Sequence, residues 1–190
     1  MDLAKKTEIV NSLQITSREV YAKVLQLISL GMSELDISEM IRKEYGERGI
    51  SEYWYDVPLN VLIGAERFKI GTTTTDYDLK NPKADVILEE DQPLFIDLAP
   101  IDSKTKVWGD WARTIIFHPK KEDEEQVTFL KEFQDIHRQG ISQITAKTTG
   151  AEIANYYLDI FKQKSITLLD VRSNVGHSIH EGQKAEAKRI

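Results

Sequence analysis

The sequence predicts an α+β domain in which paired helices twice precede strands, and three observations carry that prediction. Apolar residues recur at helical spacing over residues 5–66 and again over 122–172, and β-branched or aromatic runs follow each pair of helices. Between the two halves, PLFIDLAPIDSKTKVWGDWARTIIF (Pro93–Phe117) reads as one antiparallel hairpin. With 190 residues, 41% of them hydrophobic, the chain is long enough to bury a sizeable core, and a single domain over 1–190 is the expectation.

Each element follows from local chemistry. Between Thr7 and Leu30, Ile9, Val10, Leu13, Val20, Val24, Leu27 and Ile28 share a helical stripe that Gly31 ends. Ser33, with Asp36 three residues on, caps a second helix carrying Ile37, Met40 and Ile41 and ending near 46–49. Tyr53–Ile70 suggests one or two strands with an irregular connection, Thr72–Lys83 a surface loop, and Glu89-Glu90-Asp91 a solvated turn. Acids open a helix within 120–147 that points Val127, Leu130, Phe133 and Ile136 at a core. A fourth helix over 149–164 buries Ile153, Tyr156, Tyr157, Ile160 and Phe161. A short strand at Ile166–Val171 then leads to Asn174-Val175-Gly176-His177.

The hairpin carries the sharpest chemical signal. A two-residue loop at Ser103-Lys104 sets Asp97 opposite Asp110, Ala99 opposite Trp108 and Asp102 opposite Thr105. Opposed Cβ atoms in such a pair lie roughly 4.5–5.5 Å apart, where like charges repel. A divalent cation between the carboxylates would relieve that repulsion. Alternation puts Asp110, Ala112 and Thr114 on one face and Arg113 on the other, so Arg113 is not the obvious counter-ion. Spacing alone leaves open a protonated or backbone-bonded aspartate, or a different register.

His177 and His180, in VGHSIHEG, sit beside glycines that allow close backbone approach, and imidazole is the commonest metal-ligating side chain. As loop histidines they read equally well as polar surface groups. His137 reads as a helix surface residue and His118 as a turn residue. Trp54, Trp108 and Trp111 could line a pocket or pack in the core. Two carboxylates and an imidazole together suit Mn(II), Fe(II), Co(II) or Zn(II) in an open site.

Composition narrows the alternatives. A net charge of -6 argues against a broad nucleic-acid surface, and the absence of cysteine removes thiolate zinc sites and a cysteine nucleophile. No stretch approaches the roughly 18 apolar residues of a membrane span and no secretory h-region opens the chain, so a cytoplasmic protein is expected. No Walker loop, GxGxxG, GxSxG or HExxH is present.

FIDLAP, GDWART and GHSI, in that order, resemble the superfamily of methionine aminopeptidase, aminopeptidase P and creatinase, most nearly its aminopeptidase P-like branch. The resemblance implies a pita-bread fold: two α-α-β half-repeats around a curved antiparallel sheet that binds two divalent transition-metal ions (Mn, Co, Fe or Zn). It further implies Asp97 as the bidentate ligand of one metal, Asp110 as the bridging carboxylate, His177 as the single imidazole ligand and Thr114 as a supporting hydroxyl. The family usually carries a second His-Glu pair some residues beyond a glycine that follows GHxI, whereas here His180-Glu181 comes at once: either the intervening loop is deleted and His180 is that catalytic histidine, or His180 fills the glycine's place and the second histidine is missing; Tyr55 would take the place of a pocket histidine. The family's hairpin turn is two residues shorter, an even change that preserves the aspartates' common face.

The family's two glutamate ligands follow the GHxI motif on later strands, which this sequence, ending at Ile190, does not visibly supply. The resemblance therefore implies a domain truncated at its C-terminus, whose activity is in question. Function on this basis is metal-dependent removal of an N-terminal residue, Xaa-Pro type favoured, from a peptide or small substrate, with a homodimer possible. A non-catalytic pita-bread peptide binder and a creatinase-like hydrolase of a small C–N substrate are the alternatives.

Overall fold

A computed structural model describes residues 1–54, 59–67, 82–121, 124–168 and 175–176 of the chain. They fall into two compact units, one within Met1–Lys120 and one within Lys121–Ser178.

The first unit opens with α1 (Leu3–Leu25) and α2 (Glu34–Glu47). Asp2 caps α1, its carboxylate accepting from Lys5 N–H at 2.8 Å. Leu13, Ser17, Val20 and Val24 form the buried stripe, at the spacing that keeps side chains on one helical face. Ser33 and Asp36 make the expected reciprocal capping box on α2, and Gly31 turns the chain between the helices at a φ of 88°.

The strands are β1 (Glu52–Tyr53), β2 (Leu59–Ile63), β3 (Gln92–Leu98), β4 (Pro100–Ile101) and β5 (Trp111–Phe117). An antiparallel sheet in the order β2-β3-β5 places β3 at its centre, and a two-stranded ribbon joins β1 to β4. Alternation assigns the two faces. Val61, Ile63, Leu94, Ile96, Leu98 and Phe117 form one core with Val20, Val24, Ile37, Ile41 and Tyr45 of the helices. Asn60, Phe95, Asp97, Ala112 and Thr114 therefore occupy the face turned away from α1 and α2.

The ends of β2 and α2 are tied by a buried ion pair. Glu34, the first residue of α2 and fully buried, accepts from Arg67 Nε at 3.0 Å and Nη2 at 3.1 Å, and from the backbone N–H of Ile63 and Lys83 at 3.0 Å each. Four donors satisfy a carboxylate that could not otherwise stay charged out of water.

The second unit contains α3 (Glu125–Gln143) and α4 (Gly150–Gln163). Thr149 and Glu152 form a second capping box, and Ile136, Tyr157 and Phe161 make a small separate core. Gly140 is required there, because a Cβ would lie 2.5 Å from the Tyr157 hydroxyl. His137 is exposed on α3, its Nδ1 3.0 Å from that same hydroxyl, and His118 lies in the turn after β5, stacked on Phe117. Ile166–Leu168 are not strand, and the rest of the predicted strand to Val171 lies outside the described residues, as do most of the Thr72–Lys83 loop and Tyr55.

Candidate metal centre

The hairpin corrects the predicted register. Asp97 pairs with Ala112 rather than Asp110, and Leu98 with Trp111. The loop is longer than two residues: Asp102 N–H bonds Val107 O at 2.9 Å, and Lys106 N–H bonds Asp102 O at 2.8 Å. Two-residue hairpins need residues that tolerate positive φ at the turn, and Ser103-Lys104 has no glycine or asparagine. Instead the Asp102 carboxylate caps the turn, accepting from Thr105 N–H at 2.7 Å and Oγ1 at 2.6 Å, and Lys106 takes the left-handed conformation at φ 57°. Those bonds, the Thr105 hydroxyl foremost, hold the Asp102 carboxyl below its ordinary value.

The shift is even, so alternation carried one residue back from Trp111, where β5 begins, puts Asp110 on the face of Asp97. Diagonal positions lie roughly 7–8 Å apart. That spacing removes the head-on repulsion. Asp97 is 8% exposed at the centre of the sheet. Thr114 shares this face, and Arg113 points to the opposite one, where its charge bears on the Tyr21 phenol.

Two contacts from α1 locate Asp110. Gln14 Nε2 donates to the Asp110 carbonyl. Gly109 presses against α1 so closely that a Cβ there would lie 2.8 Å from Leu13 Cβ and 3.0 Å from Pro100 Cγ. Two residues before Asp110, Trp108 is buried and stacked on Trp54 with centroids 5.2 Å apart, and its indole Nε1 has no partner. Trp111 meets Tyr21 at 4.6 Å beside the core. Aromatic packing thus accounts for all three tryptophans.

Sequence reasoning missed Asn60. It pairs directly with Asp97 across β2 and β3, and its Nδ2 donates to Asp97 Oδ2 at 3.3 Å. Among the described residues nothing donates to its buried Oδ1. An unsatisfied buried acceptor costs about 1–3 kcal/mol. A polar residue in the middle of the apolar run PLNVLIG was the available signal, but its partner lies 37 positions along the chain.

Among the described residues no group of three or more His, Asp or Glu side chains is arranged to hold a metal ion. His177 and His180 lie outside the described residues. The donor set that is described fits a divalent cation in kind. Asp97 and Asp110 offer hard carboxylate oxygens, the kind of donor that Mn(II) and similar ions take.

Comparisons with known proteins bear on the family and the fold. Residues 8–186 match the profile described as Metallopeptidase family M24. No curated protein matches the chain. Among solved structures, the X-Pro aminopeptidase of Thermotoga maritima superposes with a TM-score of 0.71 at 16% identity, over 95% of this chain and 48% of that one. The Xaa-Pro dipeptidase of Bacillus anthracis gives 0.70 at 16% identity, over 96% and 49%. Methionine aminopeptidase of Thermotoga maritima gives 0.67 at 10% identity, over 86% and 62%. The fold is the pita-bread fold of these proteins, and the chain spans about half the length of the first two.

Proposed function

The chain belongs to metallopeptidase family M24, and on that premise we propose that it is a metal-dependent aminopeptidase-like hydrolase that removes an N-terminal residue from a peptide, Xaa-Pro substrates favoured. The observation that carries the reading is the match of residues 8–186 to that family, within which Asp97 lies on the sheet face turned away from the helices and Asp110 directly precedes β5.

The proposed ligands are Asp97, Asp110 and His177, holding two divalent transition-metal ions drawn from Mn, Co, Fe or Zn, with His180 as a catalytic residue. Bound divalent ions polarise a scissile carbonyl and make hydroxide available near neutral pH. The chain's own residues do the rest. Asp97, rigid in the central strand, fixes the position of one carboxylate. Gln14 and the Gly109 contact hold the Asp110 backbone from α1, so the second carboxylate keeps its distance from the first. A cytoplasmic setting and a homodimer belong to the same proposal.

The test is metal analysis of the protein purified without chelator, followed by hydrolysis of Xaa-Pro and Met-Xaa peptides. Bound metal, with Xaa-Pro cleavage lost in Asp110→Ala, supports the reading. A chain that carries no metal and ignores added Mn(II) refutes it. Peptide binding that survives Asp97→Ala without any cleavage would point to a non-catalytic binder.

A further inference from the structure

We propose, resting on the reading of Asp110 as a metal ligand given above, that Gln14 is a positioning residue of that centre: its side-chain amide ties the Asp110 backbone to α1 and so fixes where the second carboxylate stands.

The sheet alone does not fix it. The register holds from the pair Leu98 and Trp111 to the isolated bridge between Ile101 and Trp108, so Ala99 stands opposite Asp110 and Pro100 opposite Gly109. Gly109 N–H bonds Pro100 O at 2.7 Å, which marks residues 100 and 109 as a hydrogen-bonded pair. Proline has no N–H to return, so that pair makes a single bond. Hydrogen-bonded and non-hydrogen-bonded pairs alternate along an antiparallel ladder, so the backbone groups of Ala99 and Asp110 point away from each other. Both carbonyls obey that rule. Ala99 O accepts from Trp54 N–H at 3.0 Å, and Asp110 O accepts from Gln14 Nε2. β5, which Asp110 directly precedes, ends the described three-stranded sheet on its side. A side chain of α1 thus donates where a further strand otherwise would.

The sequence brings that donor within reach. Leu13, next to Gln14, is buried, and a Cβ added to Gly109, next to Asp110, would lie 2.8 Å from Leu13 Cβ. The absence of a side chain at 109 lets the hairpin and the helix close until a glutamine amide spans them. Charge fixes which way the amide is turned, since the flipped group would set Oε1 against the carbonyl oxygen, acceptor against acceptor. The bond is partly buried, where competition from water is reduced. A carboxylate sits one carbon from its Cα, so a shift of the Asp110 backbone passes directly to the oxygens. Groups that orient a metal ligand change affinity by roughly 10- to 100-fold when removed.

Mn(II) titration of the full chain by calorimetry, well below the melting temperature, tests the role without an activity assay. Gln14→Glu keeps the shape and replaces the donor with an acceptor; Gln14→Leu removes the polar group. Each should lose Mn(II) affinity by roughly 10-fold, and either is informative if the other fails to fold. Val20→Ala removes bulk from a fully buried position further along the same helix. It should lower the melting temperature of the metal-free chain more than Gln14→Leu does, yet leave Mn(II) affinity at the parent value. Parental affinity in the Gln14 variants, or affinity that falls in step with melting temperature across Gln14→Leu and Val20→Ala, overturns the positioning role and leaves the family reading standing. A parent chain that binds no Mn(II), Co(II) or Zn(II) overturns both.

Discussion

Glu34 and Arg67 meet in a fully buried, two-point ion pair, and the same carboxylate also receives the backbone N–H of Ile63 and Lys83. One side chain at the start of α2 thus holds the end of β2 and two points on either side of residues 68–81. Removing it should be expensive. Glu34→Ala removes the carboxylate shared by the Arg67 guanidinium and the N–H groups of Ile63 and Lys83, and breaking a buried pair from one side costs about 3–5 kcal/mol. Urea unfolding should show that loss as a lower midpoint with little change in slope.

Gly109→Ala tests the close approach of the hairpin to α1. The new Cβ would meet Leu13 Cβ at 2.8 Å, and overpacking of this kind costs about 1–3 kcal/mol. Because Gly109 adjoins Asp110, the substitution should also weaken Mn(II) binding measured by calorimetry, whereas Gly46→Ala, which meets nothing within 4 Å, should affect neither.

Tyr45 gives the molecule a stability limit at high pH. Burial first, then the charges of Tyr53 and Asp97, push its phenol up, while the 2.9 Å hydrogen bond with Ser17 opposes them. With the folded pKa above the unfolded one, the unfolded chain loses its proton first. Stability is therefore whole below about pH 10 and falls as pH rises beyond it, by about 1.4 kcal/mol per pH unit at most. Tyr45→Phe should lower the melting temperature at pH 7, through the lost Ser17 bond, yet show a shallower decline between pH 10 and 11.

Asp102 works in the opposite direction. Its carboxyl is held low by Thr105, so its contribution is present above the ordinary carboxylate range and disappears as pH falls through the depressed value. Asp102→Ala should melt lower than the parent at pH 7, and the two melting temperatures should converge as pH falls below the ordinary carboxylate range. A gap that persists in acid would show that the turn does not depend on the ionised carboxylate.

Metal binding should stabilise the chain by mass action. At Mn(II) near 100 times the dissociation constant the gain is about 2.7 kcal/mol, removable with EDTA. Asp97→Ala should abolish the gain, and thermal melts with and without Mn(II) measure it.

By itself the sequence determined the local elements and the parity of the site. Both capping boxes, at Ser33 and Thr149, and the buried stripes of α1 and α4 are written within a few neighbouring residues, where helix geometry operates. The common face of Asp97 and Thr114 was also legible, because side chains alternate whatever the register. Only the tertiary structure decided the register, since the Asp102 cap and the strained Lys106 set the loop length rather than any two-residue turn signal. It alone brought Asn60 to Asp97 and Arg67 to Glu34, across 37 and 33 positions. Such pairs form when non-local strands and helices dock, and no periodicity in the chain encodes which residue will stand opposite which.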